Sequence, residues 1–211
     1  MDTENISETI YSMVNKMPFS IREQAIKAFE AEVNGDFNKV REITTKLLDT
    51  PEGEKELELY MLLGRSYFMA GNIIQARMVF QDAMKLDPDQ VLPKLYYAMC
   101  LHGMGDYASA VKEFDSIYPL DFYHPFFYTS YGDSLQNIEQ YERSREIFAE
   151  EIKYFKSTGI IASPEMLDGA FQHLLYLDIY LANNHYDADL NTYYQFLEKI
   201  EFTDNMQQHI A

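Results

Sequence analysis

The sequence predicts an all-α fold, a solenoid of helical hairpins, on two observations. Landmark residues recur every 34 positions: small residues at Gly64, Ala98 and Gly132, turn residues at Gly71, Gly105 and Glu139, and aromatics at Phe80, Phe114 and Phe148. Three independent sets in one period identify stacked units, each the size of two short helices. Alternating apolar–polar runs, which half-buried strands require, are nearly absent. The expected product is one continuous domain of about eleven helices.

The elements follow in order. Residues 1–19 carry Ile6, Ile10, Met13, Val14 and Met17, a short amphipathic helix suited to capping the array. Residues 20–56 form a degenerate unit, with Ser20 and Glu23 as a capping box and Gly35-Asp36-Phe37 plus Val40 as the turn between its helices. Gly35 and Gly71 are 36 residues apart, so two extra residues lie near Thr50-Pro51-Glu52-Gly53. Residues 57–90 hold the fullest unit, Tyr60-x2-Leu63-Gly64-x2-Tyr67, Gly71, Ala76-x3-Phe80, Ala83 and Pro88. Gly64 and Ala76 are small where helix backbones approach. Gly71 ends the first helix because a left-handed cap costs Gly little, and Pro88 stops the second.

Residues 91–124 repeat the plan with Tyr97-Ala98, Leu101, Gly105, Tyr107, Ala110 and Phe114, but Phe122 stands where Pro would. Residues 125–158 keep Tyr128, Tyr131-Gly132, Leu135, Tyr141 and Phe148, with Ser144 in place of Ala and Glu139 in place of Gly. Glu139 to Asn184 is 45 residues, so about eleven are inserted, at Lys156 to Met166. Residues 159–202 then read as a degenerate hairpin, entered at Ser163-Pro164-Glu165 and turned at Asn184-His185-Tyr186, and 203–211 as a frayed tail.

The order of aromatic, Leu-Gly, aromatic, then Ala and Phe, closed by Pro, resembles the tetratricopeptide repeat (TPR), over roughly residues 20 to 202. The resemblance implies a right-handed α-solenoid in which each unit pairs a helix A with a helix B, and whose inner wall is lined by helix A. Carried onto this sequence, that wall is Met61, Arg65, Phe68 and Met69, then Leu92, Leu95, Tyr96, Met99 and His102, then Phe126, Thr129, Asp133, Gln136 and Asn137. Met61, Phe68, Met69, Leu95 and Met99 would form an apolar, adaptable surface, so the expected function is a non-catalytic protein–protein interaction module. Its groove would take an apolar or amphipathic peptide segment, as an adaptor or a chaperone. The alternatives are a secretion-type chaperone, or a self-assembling scaffold whose groove is filled by its own chain or by a homodimer partner. The family's clamp for acidic C-terminal tails is not expected, because Arg65 and Asn137 lack a convergent Lys cluster.

Composition narrows the partners. With 17 Lys and Arg against 34 Asp and Glu, the formal charge is −17, the wrong sign for phosphate contacts or an anionic membrane surface. Hydrophobic residues at 47% are too many for a disordered acidic chain. The acidic start Met1-Asp2-Thr3-Glu4-Asn5 and the absence of a long apolar run predict a cytoplasmic protein. No catalytic, metal or cofactor site is expected. Cys100 and His102 lie two apart and point apart on a helix, and the carboxylates at Glu54, Glu56, Glu58 and Glu150-Glu151 are ordinary for an acidic helical surface. The seven aromatics from Tyr118 to Tyr131 are expected to pack the junction of the second and third full units, with a partly exposed patch as the alternative; the window holds no Lys or Arg to support base stacking.

Overall fold

The computed structural model describes residues 10–124, 126–158 and 164–183. Helical residues 10–14 (α1) lead into α2 (Phe19–Val33), α3 (Phe37–Leu48), a single 3-10 turn (Gly53–Lys55), α4 (Leu57–Met69), α5 (Ile73–Leu86), α6 (Val91–Gly103), α7 (Tyr107–Ile117), α8 (Phe127–Asn137), α9 (Tyr141–Thr158) and α10 (Pro164–Asn183). Among the described residues there is no strand, as the period implied. Instead of one continuous domain there are two compact units, residues 1–119 and 120–211. The break falls where helix stops: after Ile117 comes a non-helical stretch, 118–124, containing Pro119.

One turn design closes each of four hairpins. The pivot residue has a positive φ at Gly35 (71°), Gly71 (75°), Gly105 (80°) and Glu139 (62°). The next residue donates its N–H five residues back: Asp36 to Ala31 (2.9 Å), Asn72 to Tyr67 (2.9 Å), Asp106 to Leu101 (3.0 Å) and Gln140 to Leu135 (2.8 Å). This is the Schellman closure, which satisfies carbonyls that a helix end would otherwise orphan. Asp36 and Asp106 then cap the following helix by accepting from the N–H of Lys39 (3.1 Å) and Ser109 (3.3 Å). Glu139 holds the same pivot without glycine's freedom.

The small landmarks are small for a steric reason. A Cβ added at Gly64 would lie 2.4 Å from Cε1 of Phe80, and one at Gly132 would lie 2.4 Å from the ring of Phe148. The same glycine-on-phenylalanine contact thus recurs 68 residues apart, in both units. Ala98 and Phe114, midway between, are fully buried. Ser144 serves in place of Ala because its hydroxyl donates to the carbonyl of Gly132 at 2.8 Å, so its polar atom is satisfied in the core. These hairpins are TPR-like in their internal packing.

Entry to the array differs from the expectation. α2 begins at Phe19 behind Pro18, with no side-chain cap, so Ser20 and Glu23 are not a capping box. Proline supplies the fixed φ, and Arg22 Nε instead donates to the carbonyl of Met17 at 2.7 Å. Ile10, Val14 and Met17 are buried in one cluster with Ile21, Ala25, Phe29 and Val40 of the first hairpin. The two extra residues between the first and second hairpins are taken up by the turn at Gly53, where a Cβ would lie 2.0 Å from the carbonyl oxygen of Leu47. α10 starts at Pro164 as the sequence suggested, whereas α9 continues to Thr158, past Lys156. The expected turn at 184–186, the rest of that hairpin and the tail lie outside the described residues.

Candidate functional site

In the first compact unit α4 lies between α3 and α5, and α6 lies between α5 and α7, with adjacent A helices also touching: α2 meets α4, and α4 meets α6. That leaves only a narrow stripe for solvent. Leu95 and Met99 are 0% and 2% exposed, and Met61 is buried in a cluster with Ala76, Phe80 and Cys100. These three residues, assigned to an open wall by the family pattern, are packing residues: all three are buried, and Met61 packs against α5 and α6.

The accessible part of the wall in the first unit is aromatic and aliphatic. Phe68 and Tyr96 are half-buried and meet edge to face, with ring centroids 5.9 Å apart, and Tyr96 stacks on Phe80 at 5.0 Å. Leu92, one helical turn before Tyr96 on the same side of α6, is 41% exposed, and Met69 at the end of α4 is 59% exposed. His102 is half-buried and packs on Tyr107 at 5.7 Å.

Arg65 is not a cation held ready for a ligand. Its Nε and Nη2 donate to Oε1 and Oε2 of Glu32 on α2, at 2.7 and 2.9 Å. Burial works against the charge on Arg65, but the hydrogen bonds and charge of Glu32 outweigh it and raise the guanidinium pKa above its ordinary value. The fork of this bidentate pair is already filled. A second cation of the unit, Arg41 on α3, donates to the carbonyl of Ser66 at 2.9 Å and lies over the ring of Tyr67.

The other predicted wall residues belong to the second unit and are described there. Phe126, Thr129 and Asn137 are exposed, and Asp133 and Gln136 are half-buried. Asn137 donates to its own helix, at the carbonyl of Asp133 (2.8 Å), and Asp133 faces His173 of α10 at 3.5 Å. Of the aromatic run, Phe127, Tyr128 and Tyr131 are buried, while Tyr118 and Phe126 are exposed.

Two buried acids escaped the sequence reading. Glu151, taken there as surface charge, is 2% exposed. Burial pushes its carboxyl up to about 7, and a 3.4 Å hydrogen bond from the Tyr123 hydroxyl pulls weakly the other way. Tyr123 is stacked between Tyr128 and Tyr154. Asp178 on α10 is fully buried and pairs with Arg145 of α9. The available signal was helical spacing: Glu151 lies three and four residues from Phe148 and Ile147 and so shares their buried face. Cys100 is fully buried, and burial holds its thiol at about 12, far from nucleophilic use at neutral pH. Among the described residues no group of three or more His, Cys, Asp or Glu could hold a metal ion, and no helix is long and apolar enough to cross a membrane.

No protein-family model and no curated protein matches this sequence. Among solved structures, the chain is similar to the TPR domain of P58(IPK), at 15% identity and a TM-score of 0.45, over 75% of this chain and 45% of that one. It is also similar to a chain in the structure of Naa15/Naa10 bound to HypK-THB, at 19% identity and a TM-score of 0.45, over 92% of this chain and 27% of that one. The chain therefore spans less than half of each of those chains.

Proposed function

We propose that this protein is a non-catalytic interaction module that holds an apolar or amphipathic peptide segment against the A-helix stripe of its first unit. The observation that carries the reading is the strip formed by Phe68, Tyr96 and Leu92, with Met69 at its end: apolar side chains that the fold leaves accessible beside an arginine already neutralised by Glu32. Such a strip gains by removing apolar surface from water and has no spare cation for a carboxylate. An acidic-tail clamp is thereby disfavoured, in keeping with the net charge of −17. Binding is expected to survive added salt, since apolar contacts are not screened.

The partner residues in this reading are Phe68, Met69, Leu92, Tyr96 and His102. Met61 packs with Phe68 and Tyr96 beneath the strip and Leu95 and Met99 are buried, while the second-unit residues Phe126, Thr129, Asp133, Gln136 and Asn137 remain a separate proposed surface. The experiment is a fluorescence titration with an array of amphipathic 15-residue peptides, comparing the natural chain with Phe68→Ser and Leu92→Ser. Loss of a hot spot costs about 2 kcal/mol or more, so each change should weaken binding roughly thirtyfold while leaving far-ultraviolet circular dichroism unchanged. Variants that fold and still bind every peptide taken by the natural chain rule out the strip. The scaffold alternative has its own signature: the same changes would dissociate an oligomer in size-exclusion chromatography.

A further inference from the structure

The apolar strip of the first unit ends beside carboxylates that no cation neutralises. Arg65 marks the wall side of α4: it pairs with Glu32 of α2, and its charge also acts on Tyr96 of α6. Glu58 stands seven residues before Arg65, two helical turns, and so on the same side of α4. Glu58 is also one 34-residue period before Leu92. The two therefore hold the same place on α4 and α6, helices that touch. Glu56, at the entry to α4, joins this end of the strip. Burial and then the like charge of Glu58 hold its carboxyl above the ordinary value.

The nearby cations are turned elsewhere. Among the described residues no Lys or Arg forms an ion pair with Glu56 or Glu58. Arg22, 36 residues before Glu58 and at the same place on α2, donates its Nε to the carbonyl of Met17 at 2.7 Å. Lys94 is two residues beyond Leu92 and so on the other side of α6, and Lys55 is exposed. The middle of the wall is thus neutral, with Arg65 filled by Glu32, while its Leu92 end carries two half-buried acids of one sign. Such a pair gains from a cation that arrives with a ligand.

We propose that the strip's partner is a basic amphipathic segment, with its apolar face along Phe68, Tyr96 and Leu92 and a Lys or Arg at one end meeting Glu58 and Glu56. The partner named here rests on the strip proposed above and adds its charge and its direction. Phe68 is ten residues after Glu58 on α4, about 15 Å along the helix axis, so a helical segment of about three turns reaches from the aromatic pair to the acids. Lys and Arg suit this end because their apolar stems can cover Leu92 while the charged head reaches the carboxylates. A neutral or acidic segment would cover the same acids and leave them without a counter-charge. The net charge of −17 steers a basic segment in and an acidic one away.

The experiment is a fluorescence titration of the full-length chain with three amphipathic peptides, blocked at both ends. They share one apolar face and carry two Lys, two Gln or two Glu at one end. The natural chain should bind the Lys peptide about fivefold tighter than the Gln peptide, and the Glu peptide weakest. Glu56→Gln with Glu58→Gln should bring the Lys and Gln peptides to one affinity, and added salt should do the same in the natural chain, since only the charged contact is screened. Should the double variant lose helicity, Glu58→Gln alone decides, with the Lys preference at least halved. Phe68→Ser should weaken all three peptides. Equal affinity for the Lys and Gln peptides in the natural chain overturns the proposal, and the strip then stands without a basic partner if Phe68→Ser still weakens both. A Lys preference that persists undiminished in the Gln variants overturns it, as does tighter binding of the Glu peptide, which points to an acidic partner. Binding of none of the three removes the strip and the proposal together.

Discussion

Replacing Gly64 with alanine adds one methyl group at the closest helix–helix approach of the first unit. The new Cβ would lie 2.4, 2.7 and 2.8 Å from three atoms of the Phe80 ring, where carbon atoms prefer about 3.5–4.0 Å. The ring would have to retreat by about 1 Å, and Phe80, fully buried against α6 and its own helix, has no free direction to take. Overpacking of this kind costs about 1–3 kcal/mol, and three simultaneous clashes argue for the upper end. Alanine's better helix propensity returns about 1 kcal/mol. The net loss is about 2 kcal/mol, a fall in Tm of about 4–8 °C for a chain of this size. Gly169 in α10 is the matched control, because nothing lies within 4 Å of its added Cβ. Gly169→Ala should gain up to about 1 kcal/mol from propensity alone. Thermal melts followed by circular dichroism at 222 nm compare the two, and Phe80→Leu combined with Gly64→Ala should cost less than the sum of the single changes. Equal Tm shifts for Gly64→Ala and Gly169→Ala would refute the reasoning, since then the Phe80 contact does not limit the approach of α4 and α5.

Three further outcomes are expected. Glu139→Gly relieves a non-glycine residue at φ 62° and should stabilise the chain by about 1 kcal/mol; a lower Tm would show that the Glu139 side chain contributes more than the strain costs. Glu151→Gln tests the buried carboxyl, which burial raises from 4.5 to about 7, so that the folded chain keeps a proton the unfolded chain has lost. Stability should therefore fall as pH rises from about 4.5 to about 7 and then level off, a loss on the order of 3 kcal/mol that the Gln variant should lack; parallel pH profiles for the two chains would contradict it. Met99→Ser, by contrast with Phe68→Ser, should destabilise the fold by about 2 kcal/mol or more, because Met99 is core; an unchanged melt would return it to the accessible wall.

The repeat itself was legible in the sequence because its causes are local. A positive-φ pivot favours glycine, so Gly35, Gly71 and Gly105 mark the turns by identity alone, and Glu139 was found only by counting 34 residues onward. Gly64 and Gly132 are readable for a related reason: a backbone approach that excludes a Cβ admits one residue type. The N-cap of α2 was misread because Ser20-x2-Glu23 meets the capping pattern while Pro18, two residues earlier, had already set the entry φ. A pattern match cannot rank two competing local signals.

What the sequence by itself determined was the hairpin, its period and the small residues that allow it, since each depends on dihedral angles and contacts between neighbours in the chain. The tertiary structure decided which side of each helix meets water. Met61, Leu95 and Met99 are as apolar as Met69 and Leu92, yet the fold buries the first three and leaves the other two exposed. It likewise took Glu151 and Asp178 out of solvent and filled the guanidinium of Arg65 with Glu32, 33 residues away. Burial and ion pairing depend on what lies across a helix–helix interface, and residue type at one position carries little information about what its neighbours in space will be.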